Sequence, residues 1–347
     1  MSATDTLARR VLLPLQIADR TPPPGALVRH LHGLSMGTSW SVRLVDIPMP
    51  GRAASADLQL GLQQQLDLVV EQMSHWELDS DLGRFNRAPA GSWQQLPAAF
   101  AEVLGFALQV SDASGGAYDP GAGAMVNAWG FGPVNRHEQP GFKVPDAAAV
   151  AQLLSQRNKL EFDAVTRRAR QPGGLQLDLS AVAKGHGVDR LARYLDSQGV
   201  EHYLVEVGGE LRGAGCKPDG QPWWVMLEQV DGCDADVQPP EMMLALHGLS
   251  VATSGDYRRF FHDGGRRHAH TIDPRSGMPV SNQLASVTVV HADCMAADAW
   301  STALGVLGAE AGMALAEQQG LAARFVQRDG AAFREYLSSA LLAMLDE

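Results

Sequence analysis

Apolar residues recur at helical spacing in several parts of the chain. Between Ala54 and Ser74 they fall on one side of the predicted helix, at Leu58, Leu62, Leu66, Val69, Val70 and Met73, which is the pattern of an amphipathic helix. Similar patterns predict helices over Leu96–Ser114 and Asp146–Ser155. Another helix follows Lys184, with apolar residues at Val188, Leu191, Ala192 and Leu195, and we expect Gly199 to end it.

Other segments have the alternating pattern of half-buried strands. Alternation over Leu175–Ser180 and over Tyr203–Val207 predicts one strand on each side of the helix that follows Lys184. Residues 27–46 read as two short strands around the small-residue turn 35–38, and two glycines before Arg266 indicate the tip of a hairpin. Near the end of the chain, a strand leads into a helix that we expect Asp293 to cap.

Glycines and polar residues collect at the junctions of these elements. Lys184 stands beside Gly185 and Gly187, and Gly208–Gly209 lie beside Glu210. Backbone donors with a nearby cation suit an anionic, phosphate-bearing ligand, although a surface lysine beside a tight turn would have the same pattern. The motifs GxxxxGK[ST] and GxGxxG are both absent.

Composition places the chain among ordinary globular proteins. It has 347 residues, 45% of them hydrophobic, and a formal net charge of −11. No run of Lys and Arg is present, which argues against a nucleic-acid or anionic-membrane partner. The cysteines Cys216, Cys233 and Cys294 lack metal-site spacing and are expected to be buried free thiols.

The amino-terminal residues contain only the short, proline-broken apolar run VLLPL. This run is too short for a signal sequence or a membrane span, and no lipobox-type cysteine follows it. We therefore expect a cytoplasmic protein, or a periplasmic one if an export segment is missing from the sequence.

A few residues are candidates for ligand or metal binding on chemical grounds. Trp76 lies in a loop rich in turn formers, where it could stack on a ligand or pack on the core. Asp119, held extended before Pro120, could bind a ligand N–H or hydroxyl, or could form a turn. Asp298 and Thr302 are four residues apart on one helix face and offer oxygen ligands to Mg²⁺, but Thr302 could instead bond back to the Asp298 carbonyl.

Taken together, a series of segments resembles the successive motifs of the ApbE family, the FAD:protein FMN transferases. The resemblance covers about Leu31 to Gly320 in consistent order. Its segments are MGTSW, MSHWELDSDLGRFN, GGAYDPGAGAMVNAWGFGP, DLSAVAKGHGVD, YLVEVGGELRGAG, ATSGDYRRFF, HAHTIDPRSGMPV and ADAWSTALGVLG.

The resemblance implies an α+β, ApbE-like (T-fold-like) fold of mixed sheets packed with helices, in which two intimate halves enclose one FAD. We expect an amino-terminal extension or linker over residues 1–30, a single transferase domain over 31–347, and an acidic insertion near 231–241. The implied reaction is a Mg²⁺-dependent transfer of FMN from FAD to a Thr or Ser hydroxyl of an acceptor protein, with release of AMP.

Matching the motifs position by position also implies roles for individual residues. The metal ligands are Asp298, Thr302 and the backbone carbonyl of Ala181, and His270 is the catalytic base. Lys184 contacts the flavin, and Ile272 shares a strand face with His270 and is placed with the FAD-binding residues. The residues that line the isoalloxazine and adenine ends of FAD are Met36, Trp76 and Asp119. Trp76 departs from the family in being larger than the usual aromatic, which should preserve stacking.

Two other functions fit the same residues. An FAD pyrophosphatase would admit water in place of the acceptor hydroxyl and give FMN and AMP. A non-catalytic FAD carrier would not need His270, Asp298 and Thr302 together. The acceptor expected for a transferase carries a short motif similar to Asp-x-x-[Ser/Thr]-Gly-Ala-[Ser/Thr].

Overall fold

A computed structural model describes residues 10–17, 21–47, 55–156, 159–230 and 239–346. Its centre is an antiparallel 8-stranded sheet, and the strands occur in the spatial order β18-β17-β16-β11-β8-β7-β3-β2. In chain order these strands are β2 (Leu27–Ser35), β3 (Thr38–Asp46), β7 (Tyr203–Val207), β8 (Glu210–Ala214), β11 (Leu249–Gly255), β16 (Leu284–His291), β17 (Ala322–Asp329) and β18 (Ala332–Leu337).

Shorter strands form separate small sheets around this central sheet. One small sheet comprises β1 (Arg10–Leu12), β10 (Met242–Leu246) and β9 (Trp223–Met226). A second comprises β4 (Trp93–Gln95), β6 (Arg168–Arg170) and β5 (Glu161–Asp163). Two hairpins complete the set: β12 (Phe260–Asp263) with β13 (Arg266–Ala269), and β14 (Ile272–Asp273) with β15 (Met278–Pro279).

The helices range from about one turn to about five turns in length. They are α1 (Ser55–Met73), α2 (Asp81–Asn86), α3 (Ala98–Ala113), α4 (Gly123–Ala128), α5 (Ala147–Ser155), α6 (Ser180–Ser197), α7 (Cys294–Leu307), α8 (Ala309–Gln319) and α9 (Ser339–Leu342).

The inner strands of the central sheet are buried on both faces because their side chains alternate between two cores. On β7, Tyr203, Val205 and Val207 pack with α1 and α6 on one face, whereas Leu204 packs with Leu244 of the small sheet on the other. Helix α7 lies between α6 and the sheet strands β11 and β16. Burial of apolar surface on both faces is the main stabilising contribution to such a layered arrangement.

Most of the predicted elements are confirmed. Helices α1, α3 and α5 match the predicted ranges to within two residues, and the β2–β3 and β12–β13 hairpins form where they were expected. Cys216 and Cys294 are buried free thiols, and Cys233 lies outside the described residues. In the part of the chain that is described, no helix is both long and apolar enough to cross a membrane. Most of the predicted acidic insertion, residues 231–238, also lies outside the described residues.

The predicted strand over Leu175–Ser180 is wrong. Leu175, Leu177 and Leu179 are buried, as the alternation requires, but among the described residues the segment has a single bridge, from Gln176 to Ala122, and Ser180 already belongs to α6. Its backbone bonds instead to loops and to a side chain: the Leu177 N–H donates to Asn86 Oδ1 over 2.7 Å and the Asp178 N–H donates to the Pro120 carbonyl over 2.8 Å.

The junctions around two of the predicted helices also differ from expectation. Helix α6 begins at Ser180, so Gly185 and Gly187 lie inside it rather than before it. Asp293 does precede α7, but its side chain makes no capping hydrogen bond.

Candidate active site

A cleft of about 330 Å³ opens at one end of the central sheet, and we call it the central cleft. It is lined by the β2–β3 turn, the loop after α1, the start of α6, the β7–β8 turn, the segment between β13 and β14, and one face of α7. This volume is at the lower end of the range typical of small-molecule sites.

The central cleft brings together every residue that the sequence analysis nominated. Its lining includes Met36, Trp76, Asp119, Ala181, Lys184, His270, Ile272, Asp298 and Thr302. These residues come from segments as far apart as the first hairpin and α7, and the tertiary fold places them around one cavity.

Asp298 and Thr302 present oxygen atoms from the same face of α7. Asp298 is 3% exposed, and its Oδ2 accepts a hydrogen bond from the Gly185 N–H over 2.9 Å. Burial raises the pKa of the Asp298 carboxyl, although Lys184 and the Gly185 bond oppose the shift. The Thr302 hydroxyl bonds to the Ser254 hydroxyl over 2.9 Å, and it is Ser301 that bonds back to the Asp298 carbonyl. The alternative of a Thr302 back-bond therefore does not hold.

Ala181 interrupts the first turn of α6. Its backbone angles, φ −92° and ψ 20°, are not helical. The Gly185 amide, four residues later, donates to Asp298 Oδ2. Ala181, Asp298 and Thr302 line the same cavity.

These oxygen atoms fit Mg²⁺ chemically. Mg²⁺ prefers oxygen ligands, keeps several waters, and commonly uses one or two carboxylates together with substrate phosphates. A softer metal would call for His or Cys, and the described residues contain no group of three or more His, Cys, Asp or Glu side chains arranged to hold a metal ion.

Lys184 is not a free cation in the cleft, because its ammonium group forms an ion pair with Glu210. Burial would lower the Lys184 pKa, but Asp298 and Glu210 outweigh that effect and raise it. Glu210 is 1% exposed. Burial raises the Glu210 pKa to about 7, although Lys184 opposes the shift.

His270 is held at the end of β13 by the backbone of Arg259. The His270 N–H donates to the Arg259 carbonyl over 3.0 Å, and the Nδ1 atom lies 3.1 Å from the same oxygen. Because a carbonyl only accepts hydrogen bonds, Nδ1 carries the proton and Nε2 is left as the basic nitrogen. Burial, together with the positive charges of Arg259, Lys184 and Arg258, lowers the His270 pKa to about 4.

Trp76 and Phe85 are close in the sequence but have different environments. Phe85 is 1% exposed and belongs to the core, whereas Trp76 is 42% exposed at the mouth of the cleft. The Trp76 ring lies 5.5 Å from the His75 ring and 5.7 Å from the Arg136 guanidinium. The indole face is therefore positioned for stacking rather than for core packing.

Asp119 takes part in a turn as well as lining the cleft. Its Oδ1 accepts a hydrogen bond from the Gly121 N–H over 2.7 Å, which is the Asx-turn geometry named as the alternative to ligand binding. The two roles are compatible, because a carboxylate has further acceptor positions.

Sequence reasoning missed several polar residues of the cleft. They are His75, Asp178, Glu210, Ser254, Arg258 and Arg259. The position of Glu210 directly after a strand and a glycine pair was a usable signal. The adjacent arginines Arg258 and Arg259 lie in the motif-like segment ATSGDYRRFF, but residue type alone indicated no role for them, because arginine side chains are usually on the surface.

Comparisons with known proteins agree on one family. The model of the ApbE family matches residues 36–325. A Vibrio cholerae protein named FAD:protein FMN transferase is 36% identical over 324 residues, which are 92% of this chain and 93% of the relative. The Escherichia coli K12 protein of the same name is 32% identical over 329 residues, covering 92% and 91% of the two chains.

Solved structures of similar proteins have the same fold. The apo form of the flavinyl transferase ApbE from Pseudomonas stutzeri superposes with a TM-score of 0.82 at 36% identity, covering 92% of this chain and 97% of that one. The flavin transferase ApbE from Vibrio cholerae gives a TM-score of 0.82 at 35% identity, with coverage of 92% and 99%.

Proposed function

The chain belongs to the ApbE family, and from that premise we propose that it is a Mg²⁺-dependent FAD:protein FMN transferase. Its substrates are FAD and an acceptor protein, and the nucleophile is a Thr or Ser hydroxyl in a motif similar to Asp-x-x-[Ser/Thr]-Gly-Ala-[Ser/Thr]. The products are the FMN-bearing protein and AMP.

Three oxygen donors support the metal assignment. Ala181, Asp298 and Thr302 line one cavity, and we assign the Ala181 carbonyl, the Asp298 carboxylate and the Thr302 hydroxyl as the Mg²⁺ ligands. When bound, Mg²⁺ neutralises charge on the pyrophosphate. The Gly185 N–H and the Ser254 hydroxyl orient Asp298 and Thr302 respectively, and outer contacts of this kind help to fix ligand geometry.

We assign the remaining nominated residues to FAD itself. Met36, Trp76, Asp119, Lys184 and Ile272 surround the same cavity. The half-exposed Trp76 offers a ring face for stacking. The Lys184 ammonium can donate to a phosphate or flavin oxygen while its ion pair with Glu210 keeps it charged.

The observation that carries the transferase assignment is the state of His270. Its Nδ1 proton is committed to the Arg259 carbonyl, and its lowered pKa keeps the ring neutral at pH 7. Nε2 is therefore available as a general base to accept the acceptor hydroxyl proton during attack on phosphorus. An FAD carrier needs no such base.

The direct test is to incubate the protein with FAD, Mg²⁺ and a peptide that contains the acceptor motif. We expect the peptide to gain the mass of one FMN unit while AMP is released in equal amount. A peptide with Ala in place of the nucleophilic Thr is the control. FMN and AMP formation without peptide modification would identify a pyrophosphatase, and FAD binding without turnover would identify a carrier.

A further inference from the structure

The central cleft contains cationic side chains that differ in whether a carboxylate already neutralises them. Lys184 is paired with Glu210. The Arg258 guanidinium donates to both oxygens of Glu228, through Nε over 3.2 Å and through Nη2. Among the described residues, no carboxylate lies within 4.0 Å of the Arg259 guanidinium.

The Arg259 side chain is held at the cleft by a weak contact. Its Nη2 donates to the Phe131 carbonyl over 3.4 Å, and both residues line the cavity. A guanidinium has five N–H donors in a planar fork, so this one long bond leaves most of its hydrogen-bonding capacity unused.

Two contacts place the Arg259 backbone and the anchor of its guanidinium next to His270. The Arg259 carbonyl bonds to the imidazole Nδ1. The Phe131 ring, whose backbone oxygen anchors the guanidinium, lies edge-on to the imidazole with 6.3 Å between ring centroids. The base and the unpaired cation therefore flank the same region of the cleft.

The geometry of the reaction places the phosphoryl group in that region. An acceptor oxygen within hydrogen-bond reach of Nε2 attacks a phosphorus roughly 3–3.5 Å further on. We propose that Arg259 is a catalytic residue whose guanidinium binds the non-bridging oxygens of the FMN phosphoryl group as it is transferred. This inference rests on the proposed transferase function.

The step balances with the groups named. The acceptor O–H proton passes to His270 Nε2, the acceptor oxygen forms a bond to the FMN phosphorus, and the P–O bond to AMP breaks with its electron pair on the AMP oxygen. Arg259 exchanges no proton. Its planar fork matches two phosphoryl oxygens, and its positive charge opposes the negative charge on the group being transferred.

The test compares Arg259→Ala and Arg259→Lys with Arg266→Ala. Arg266 is an exposed arginine in β13 of the same hairpin and does not line the cleft, so its variant is the matched control. Flavin fluorescence gives the FAD dissociation constant, single-turnover assays give the rates of FMN transfer and of FAD hydrolysis, and a peptide titration gives the acceptor KM. Thermal unfolding checks that each variant is folded.

We expect Arg259→Ala to slow transfer about 100- to 1,000-fold, as loss of one oxyanion-stabilising donor typically does. Any FAD hydrolysis by the wild-type protein should slow in parallel. Arg259→Lys should retain part of the rate, Arg266→Ala should match the wild type, and added methylguanidinium should partly restore Arg259→Ala.

The contrary outcomes are distinct. A raised acceptor KM with an unchanged single-turnover rate at saturating peptide would overturn the proposal and make Arg259 a contact for an acceptor carboxylate. Weaker FAD binding with an unchanged rate would make it a ground-state binding residue, and loss of rate without guanidinium rescue would make its role structural. If the wild type itself fails to modify the peptide, it is the transferase function that fails.

Discussion

At the scale of single residues, the central cleft controls protonation through its surroundings. His270 is kept neutral by burial and by nearby positive charge, while its tautomer is fixed by a main-chain oxygen. Asp298 and Glu210 lie close enough to Lys184 to keep it charged despite burial. His270 and Lys184 therefore have the charge states that the proposed roles require at neutral pH.

For His270→Ala, we expect transfer at least about 100-fold slower with FAD affinity nearly unchanged, because a positioned general base contributes about 100- to 10,000-fold. Single-turnover rates and flavin fluorescence measure the two effects. His262→Ala, at an exposed histidine of β12, is the control. Unchanged transfer would exclude the base role, and lost FAD affinity would make His270 a binding residue.

The pH profile of the wild type tests the same residue. A base with pKa about 4 stays unprotonated as the pH falls from neutrality and loses activity only near pH 4. We therefore expect the acidic limb of kcat/KM, which reports the free enzyme, to have its midpoint near pH 4. A midpoint near the ordinary histidine value of about 6.5 that persists in Glu210→Gln, which removes the other cleft group with a pKa in that range, would contradict the lowered His270 pKa.

For Asp298→Ala, we expect loss of Mg²⁺-dependent transfer, because the site loses its one anionic ligand. Apparent Mg²⁺ affinity should fall by more than the roughly 10- to 100-fold typical of losing an outer-shell partner. Thr302→Ala removes a neutral ligand and should have a smaller effect. Mg²⁺ titrations of activity and calorimetric Mg²⁺ binding measure both. Glu310→Ala, at an exposed carboxylate of α8 that does not line the cleft, is the control, and wild-type behaviour of Asp298→Ala would refute the assignment.

At the scale of elements, the site depends on how closely α6 approaches α7. A Cβ added at Gly185 would lie 2.3 Å from the Cys294 carbonyl oxygen and 2.8 Å from Asp298 Cβ. The Gly185 amide also donates to Asp298. The close approach of the two helices, and with it the position of Asp298, therefore requires glycine at this position.

For Gly185→Ala, we expect destabilisation of about 1–3 kcal/mol from overpacking, larger than the gain of roughly 1 kcal/mol in helix propensity, together with weaker Mg²⁺ binding. Urea unfolding and Mg²⁺ titration measure these effects. Gly105→Ala in α3, where the new Cβ would lie 3.5 Å from Phe162, is the control and should be neutral or slightly stabilising. Equal stability of the two variants would show that α6 can shift without cost.

The spacing of apolar residues predicted the strands and helices more accurately than the segments between them, and it is those segments that form much of the site. The strands and long helices follow from side-chain patterns because burial on one face dictates them. The segment Leu175–Ser180 was misassigned because its backbone bonds to Asn86 and Pro120, partners that are distant in sequence. Gly185 belongs to α6 because tertiary packing against α7 outweighs the low helix propensity of glycine.

The site, too, was only partly predictable from the sequence. Motif resemblance nominated His270, Asp298 and Thr302, and the fold brings them to one cavity. Two features depend on which side chains meet across the fold: the ion pair between Lys184 and Glu210, and the lack of a carboxylate partner for Arg259 among the described residues. The sequence around each residue does not show which side chains it will contact in the folded protein.

At the scale of the whole molecule, one buried histidine links stability to pH. His186 of α6 is 0% exposed, and neither ring nitrogen has a hydrogen-bond partner among the described residues. Burial, followed by the charges of Arg190 and Arg193, lowers its pKa to about 3. Below the unfolded value of about 6.5 the unfolded chain binds a proton that the folded protein excludes, so stability falls as the pH falls from about 6.5 towards 3.

We expect His186→Leu to flatten this dependence, since the wild type loses up to about 1.4 kcal/mol per pH unit through this residue. Urea unfolding at several pH values between 4 and 7 measures it. His262→Leu, at the exposed histidine in β12, should leave the slope unchanged. The same slope in His186→Leu and the wild type would assign the loss to other groups, of which His270 is the first candidate because its pKa is also lowered.

The two ends of the described chain meet on the face of the central sheet opposite α1 and α6. Strand β1 pairs with β10 at Arg10–Met242, and Leu12 also bridges to Leu345. During synthesis, β1 leaves the ribosome long before either partner exists, a delay of about 10 to 50 s at roughly 5–20 residues per second. Until then its apolar side has no place to pack, so the small sheet can close only after most of the polypeptide has emerged.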